Sequence, residues 1–488
     1  MNKGYNKGAA KSHGNIVMDT IWQPELLQTD GPKYKAVVHA IREQIETRHL
    51  ASGDKLPPVR DLAWKLGITP GTVARAYTIL TDDGTLTAEV GRGTFVAKPD
   101  RKTPLLPDIP REVETRAHTS DDERYQVNLF SPHLPDVGQA TLIRSLLAEV
   151  AADPPSGMMH YPSRDGARAA REAALHWLSG APLGSIDEGD IQLAHGGQNA
   201  ILLILQALLH GRRPAILVEE LAYPGFRRAA ELMRADVIPV AMDADGVSPS
   251  ALEAAIKTYD AQVFCTSPEV HNPTCGFTPE HRRIALVDVI RRHDLQILED
   301  DCYRLGAAQA SSYRMLAPER SWYISSISKS VTPALRLGIA VAPKGRAAIL
   351  RRTAEYSFFG LATPMTDLAA KLLIHPDLPE MMQAARTEIA TYVHCAVNVL
   401  GGYDLEWRSD VPFLWLRLPQ GWRAGAFVQA AEAQGVRIRA AEEYACRDAR
   451  SLHAVRFAVN AGVGIVSFEA AILRLRHLLD NPPESIGV

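Results

Sequence analysis

A stretch rich in proline and charge, residues 98–125, most limits what this chain can fold into. It holds Pro99, Pro104, Pro107 and Pro110, then Ser120 followed by DDER. That composition reads as an extended linker. At 488 residues the chain is also too long for one ordinary domain. The expected divisions are a flexible leader at 1–30, a compact and mostly helical domain at 31–98, the linker at 99–125 and a large domain at 126–488. In the last, short apolar runs (Ile216 to Val218, Val263 to Cys265, Ile297 and Leu298, Ile339 to Ala342) alternate with helical stretches. Buried strands separated by helices predict an α/β domain with a mainly parallel sheet covered on both faces.

Bulk properties exclude several classes. A net charge of -3 argues against attraction of the whole chain to nucleic acid, while leaving room for a local basic surface. Five cysteines are widely spread without a CxxC pair, which implies a reducing compartment and neither a disulfide framework nor a metal site. Residues 1–20 are polar and lack the apolar core of a signal peptide. No run approaches the ~18 apolar residues of a membrane helix. A cytoplasmic location is expected.

In the front domain Val37, Ile41 and Ile45 recur at helical spacing, and the turn at 52–58 ends that helix. A second helix carries Val59, Leu62, Ala63 and Leu66, and Gly67 closes it. Thr69 caps a third, with Pro70 at its first position and Val73, Tyr77 and Leu80 inward. Two helices joined by a tight turn are the helix-turn-helix geometry, although a plain three-helix module shares the periodicity. Residues 85–96 alternate around Gly91, Arg92 and Gly93, predicting a β-hairpin whose tip can approach a phosphate or the minor groove. The stretches LPPVRDLA (56–63), GTVARAY (71–77) and GRGTFV (91–96) resemble the winged helix of the GntR regulators. The resemblance implies an α+β winged helix-turn-helix with Arg60, Thr69, Thr72, Arg75, Arg92 and Thr94 as contacts to an operator in double-stranded DNA. Relatives often carry a basic residue where this chain has Pro70, so base readout there is lost or shifted. Asp54, Asp61, Asp82, Asp83 and Glu89 nearly balance the basic residues, so affinity rests on a dimer presenting two half-sites.

In the large domain Lys329 sits in the run SISKS (326–330), after the apolar Trp322, Tyr323 and Ile324 and before Arg336. Such a lysine suits the aldehyde of a phosphorylated cofactor: the amine forms a Schiff base, while hydroxyls and a guanidinium hold phosphate. The plain alternative is a surface lysine in a Ser-rich loop, and the neighbours decide between them. YPSRDG (161–166) precedes an amphipathic helix. HGGQNA (195–200) precedes a helical run from Ile201 to Leu209 and offers free backbone N–H groups to a phosphate. EELAYPG (219–225) places Tyr223 to stack on a planar ring, or merely as a half-buried tyrosine at a strand end. HNPTCG (271–276) supplies an amide from Asn272. In ILEDDCY (297–303), Asp300 with Tyr303 three residues on suits a ring nitrogen and a ring oxygen, and Asp301 reads as a solvated strand-end acid. Arg456 is placed to clamp a carboxylate bidentately.

Taken together these segments resemble the fold-type I pyridoxal-phosphate transferases, the class I and II aminotransferases. The resemblance implies pyridoxal 5'-phosphate bound to Lys329, with Asp300 at the pyridine nitrogen, Asn272 and Tyr303 at the ring oxygen and Tyr223 stacked. It further implies phosphate held by Gly197, Gln198, Ser326, Ser328 and Arg336, Tyr161 reaching in from a partner subunit, and Arg456 as the carboxylate clamp. The family pattern is NPTG, whereas this chain reads NPTCG, which leaves the geometry of the loop beside Cys275 open.

A GntR winged helix joined by a linker to an aminotransferase-like domain is the architecture of the MocR regulators, which this chain resembles over nearly its whole length. The resemblance implies a homodimer, head-to-tail with swapped domains, in which an amino-compound effector displaces Lys329 and so alters DNA binding. Two alternatives stay open: an active aminotransferase with an accessory DNA-binding domain, and a sensor of pyridoxal phosphate itself. Arg456 implies an effector carboxylate or similar anion and goes no further.

Overall fold

The computed structural model describes residues 32–47, 49–89, 93–97, 127–155, 159–446 and 452–482. The leader, the linker, Gly91 and Arg92 lie outside them. Contacts divide the chain into two units, Met1–Ser120 and Asp121–Val488.

In the small unit three helices, Lys33–Glu46, Val59–Leu66 and Pro70–Asp82, enclose one core. Val37, Ile41, Leu62, Val73 and Leu80 are buried, as their spacing predicts. Gly67 ends the second helix in the left-handed conformation, at φ 63°, that only glycine adopts readily. Pro70 opens the third, where its missing N–H costs nothing. The Thr69 side chain makes no capping bond to the backbone, and its hydroxyl pairs with that of Thr72 at 2.9 Å. Strands Leu86–Glu89 and Gly93–Val96 form the antiparallel hairpin, with Leu86 opposite Val96 and Glu89 opposite Gly93.

The large unit is built on a seven-stranded sheet in the order Ile191–His195, Leu337–Val341, Ser321–Ser326, Gln296–Asp300, Ala261–Thr266, Ala215–Glu219, Asp236–Val240. Leu337–Val341 runs antiparallel to both neighbours and the remaining pairs are parallel. Alternate residues of one strand enter different cores: Ile216 and Val218 pack on one face, Leu217 on the other. Both faces are covered, which explains why these strands read as unbroken apolar runs. A second, four-stranded antiparallel sheet joins Leu405–Glu406, Phe413–Arg417, Ala454–Ala458 and Arg439–Ala440. Its core includes residues of the helices Leu378–Leu400 and Ile465–Asp480. Among the described residues no helix is long and apolar enough to cross a membrane.

Candidate functional site

Every residue of Ser321–Ser326 is buried, and the strand runs directly into a short 3-10 turn, Ile327–Lys329. Ser326 organises that turn. Its Oγ accepts from the Ser328 N–H at 3.2 Å and donates to the Leu337 carbonyl at 3.0 Å; the two serine hydroxyls are 2.9 Å apart. The turn releases Lys329 half-buried at the strand's end, with its Nζ 5.5 Å from the centroid of the Tyr303 ring. Among the described residues that amine makes no hydrogen bond and no ion pair.

Two adjacent carboxylates end the strand Gln296–Asp300, and their surroundings differ. Asp301 is buried and not solvated as its position suggested, because Arg304 bonds it at 2.6 Å and the Tyr323 hydroxyl donates to it. Asp300 is buried with no basic partner among the described residues; the Cys302 N–H donates to it at 3.0 Å. Burial pushes its pKa up to about 6. Asn272 is buried too, and its amide oxygen finds no partner among the described residues. The additional residue of the NPTCG loop is absorbed locally: Cys275 adopts φ 63°, its N–H donates to the His271 carbonyl at 2.9 Å, and its thiol donates to the Phe413 carbonyl at 3.2 Å.

Beside Lys329 the backbone leaves no room for side chains. A Cβ on Gly338 would lie 2.5 Å from the Gly196 backbone, one on Gly196 2.8 Å from the Arg336 guanidinium, and one on Gly197 2.7 Å from the Cys302 sulfur. Glycines here bring the opening of the helix Gly196–Leu208 against the sheet, with its first N–H groups unused by the helix itself. Arg336 stands in the left-handed region at φ 49°, a strained conformation for a residue other than glycine and one that clusters at functional sites. The Gln198 side chain is engaged elsewhere, donating to the Gly225 carbonyl at 3.0 Å, so only its backbone faces the cradle. Tyr223 is half-buried ahead of the helix Pro224–Leu232, edge-on to Phe226 with centroids 6.1 Å apart. Tyr161 does not join this group. It is 86% exposed, beside Phe359.

The opposite wall is formed by Arg456, 3% exposed and without a carboxylate partner among the described residues. Its Nη1 donates to the Tyr444 hydroxyl at 3.0 Å and to the Phe130 carbonyl at 3.3 Å; its Nη2 reaches the Tyr303 hydroxyl at 3.3 Å. The guanidinium lies 4.1 Å from the Phe413 ring centroid, and its Nε has no acceptor. Burial alone would weaken this cation, but the tyrosine hydroxyls outweigh burial and hold its pKa above the ordinary value. For Tyr303 burial acts upward, yet Lys329 and Arg456 prevail and hold the phenol below its usual range. Tyr303 thus links the two ends of the pocket.

On the small unit Arg60, Thr69 and Arg75 are exposed and Thr72 and Thr94 half-exposed. Arg75 stacks on the Tyr34 ring at 4.3 Å.

Residues 126–472 match the family described as aminotransferase class I and II. The chain belongs to that family. Residues 33–96 match the bacterial regulatory proteins of the gntR family, and the two domains in one chain are the MocR arrangement. The uncharacterized HTH-type transcriptional regulator YdeF of Bacillus subtilis is 26% identical over 94% of this chain and 97% of its own length. The pyridoxine biosynthesis transcriptional regulator PdxR of Corynebacterium glutamicum is 30% identical over 64% of this chain and 66% of its own. Among solved structures an archaeal alanine:glyoxylate aminotransferase superposes with a TM-score of 0.65, at 20% identity over 73% of this chain and 91% of that one, a likeness of fold.

Within the aminotransferase domain the residue types and order singled out Lys329, Asp300, Asn272 and Arg456, but not Phe130, Phe413, Arg439 or Tyr444. Nothing in the sequence marked Phe130, which reaches Arg456 across 326 positions. The alternation in VRIRA (436–440) predicts a strand, but it puts Arg439 on the face opposite Val436 and Ile438 and so gave no sign of its burial.

Proposed function

We propose that this protein is a DNA-binding transcription regulator whose large domain binds pyridoxal 5'-phosphate and an amino-compound effector. One observation carries the reading: a gntR-type winged helix shares a chain with a pocket that holds, among the described residues, a lysine amine with no hydrogen bond or ion pair and a buried aspartate with no cation. Isolated buried charges are costly, and a ligand supplying the missing charges removes the cost.

The residues present fit this cofactor. Asp300 lacks a cation that a protonated pyridine nitrogen would provide. Asn272 and Tyr303 bring polar groups for a ring oxygen, and Tyr223 a ring for stacking. The glycine cradle, Ser326, Ser328 and Arg336 supply N–H, hydroxyl and guanidinium groups for a phosphate, and Gln198 contributes backbone only. When bound, pyridoxal phosphate supplies an aldehyde that condenses reversibly with amines. Lys329 is the resident amine, Asp300 holds the ring proton, and Arg456 orients a carboxylate on the incoming compound. Loss of the lysine's bond changes its charge and contacts, the differential interaction that an effector needs to shift an equilibrium. Arg60, Thr69, Thr72, Arg75, Arg92 and Thr94 would contact DNA. Exposed Tyr161, Tyr356, Phe359 and Met159 support a homodimer in which Tyr161 serves the partner's pocket. Cytoplasmic location accords with this role.

Lys329→Ala should abolish both the visible absorbance of the cofactor-loaded protein and the effect of amino compounds on DNA affinity. Binding to an operator selected from a random DNA pool should persist. Unchanged absorbance in the variant would refute the assignment. Because the catalytic residue types are all present, a working aminotransferase is the second reading, and sustained amino transfer to a keto acid by the purified protein would establish it.

A further inference from the structure

Arg439 and Arg456 stand directly opposite one another on neighbouring antiparallel strands, so both side chains leave the same face of the small sheet. They are 8% and 3% exposed. Like charges in that position repel, and burial magnifies the repulsion. Among the described residues one carboxylate, Glu443, pairs with Arg439, and none pairs with Arg456. Arg456 therefore holds a positive charge inside the protein with no counter-charge among the described residues.

A single acceptor sits where the two guanidinium groups converge. The Phe130 carbonyl takes the Arg439 Nε–H at 3.1 Å and the Arg456 Nη1–H at 3.3 Å. A neutral carbonyl is a poor match for two cations; a carboxylate there would form charge-assisted bonds roughly twice as strong. The unpartnered Nε of buried Arg456 is a further donor awaiting an acceptor.

We infer that Arg439 is a second ligand-contacting arginine, gripping the same carboxylate as Arg456, and that the Phe130 carbonyl occupies the place that carboxylate takes. The inference rests on the proposed cofactor and effector site. It narrows the ligands to amino compounds bearing a carboxylate. It also names the element that must yield. Phe130 follows the strand Val127–Asn128, which pairs in parallel with Val436–Arg437. That strand stays anchored by the Leu129 N–H on the Arg437 carbonyl at 2.8 Å and by Asn460 on the Asn128 carbonyl at 2.9 Å. Residues 127–130 continue, through residues 98–126, the chain that carries the winged helix. Exchange of the carbonyl for a carboxylate thus acts on the segment through which the two domains are covalently joined.

Two stable probes separate the possibilities on the full-length, cofactor-free protein: N-(5'-phosphopyridoxyl)-L-alanine, and N-(5'-phosphopyridoxyl)ethylamine, which lacks the carboxylate. The wild type should bind the alanine adduct more tightly, and Arg439→Gln should shrink that preference by roughly ten- to a hundredfold while leaving the ethylamine adduct unaffected. An undiminished preference in Arg439→Gln, or equal losses for both adducts, overturns the inference and leaves the pocket assignment standing. Failure of the wild type to bind either adduct overturns both. On the wild type, the alanine adduct alone should speed hydrogen exchange at residues 127–133; unchanged exchange would mean that Phe130 does not yield, and the inference fails.

Discussion

Arg283 and Arg456 are buried alike, at 1% and 3% exposure, and are used in opposite ways. Every nitrogen of Arg283 has an acceptor: Nε on Thr278, Nη1 on Ser311, Nη2 on Pro268 and on the Glu269 carboxylate at 2.8 Å. Glu299 stands 4.0 Å away as a second acid. Arg456 has tyrosine hydroxyls, one carbonyl, an aromatic ring and an idle Nε. The same contrast separates Asp301, tied to Arg304, from Asp300, which has no cation among the described residues. Closed clusters hold the fold. Open ones store unsatisfied charge at the place where a ligand can satisfy it.

The largest effect should come from breaking a closed cluster. Arg283→Met strands Glu269 and Glu299 without their cation, and burial already pushes Glu299 up to about 8. We expect a loss of about 3–5 kcal/mol in urea-monitored stability. An unchanged midpoint would erase the distinction between closed and open sites. Next comes Asp300, whose folded pKa of about 6 lies above the ordinary 3.8. Between those values the folded state keeps a proton that the unfolded chain releases. The stabilisation is therefore complete below pH 3.8 and lost as pH rises through about 6, on the order of 3 kcal/mol. Subtracting the pH–stability curve of cofactor-free Asp300→Asn from that of the wild type should isolate this fall. A flat difference would show that Asp300 is not held in an unfavourable charged state.

How much was legible follows the same division. The helix-turn-helix was readable because Val37, Ile41, Leu62, Val73 and Leu80 recur at one local period, punctuated by Gly67 and Pro70. The sheet was readable because strands buried on both faces are apolar throughout. Lys329, Asp300 and Asn272 could be picked out because each sits in a short segment of distinctive composition. The helix expected from Ile201 begins at Gly196, since close packing against Gly338 and Arg336, and not helix propensity, sets its start. Asp301 was misread as solvated because its partners, Arg304 and Tyr323, are fixed by tertiary packing. Phe130 and Arg439 escaped for a related reason: their meeting point on Arg456 joins segments remote in sequence.

The smallest stability effect should come from the open arginine, and it tests the comparison most finely. Arg456→Met removes three hydrogen bonds and takes a donor from the Tyr444 and Tyr303 hydroxyls, but it leaves no buried carboxylate uncompensated. The lost contact with Phe413 is worth about 0.5–2 kcal/mol, and a thioether against the same ring restores about 0.3–1.5 kcal/mol. Removing a cation that stands opposite Arg439 also relieves repulsion between like charges. The net loss in urea stability should therefore fall below that of Arg283→Met, which strands buried carboxylates as well. Preference for the alanine adduct over the ethylamine adduct should disappear in the same variant. A stability loss equal to that of Arg283→Met would instead make Arg456 a strut, because a residue kept for its ligand contributes affinity while the fold does without it.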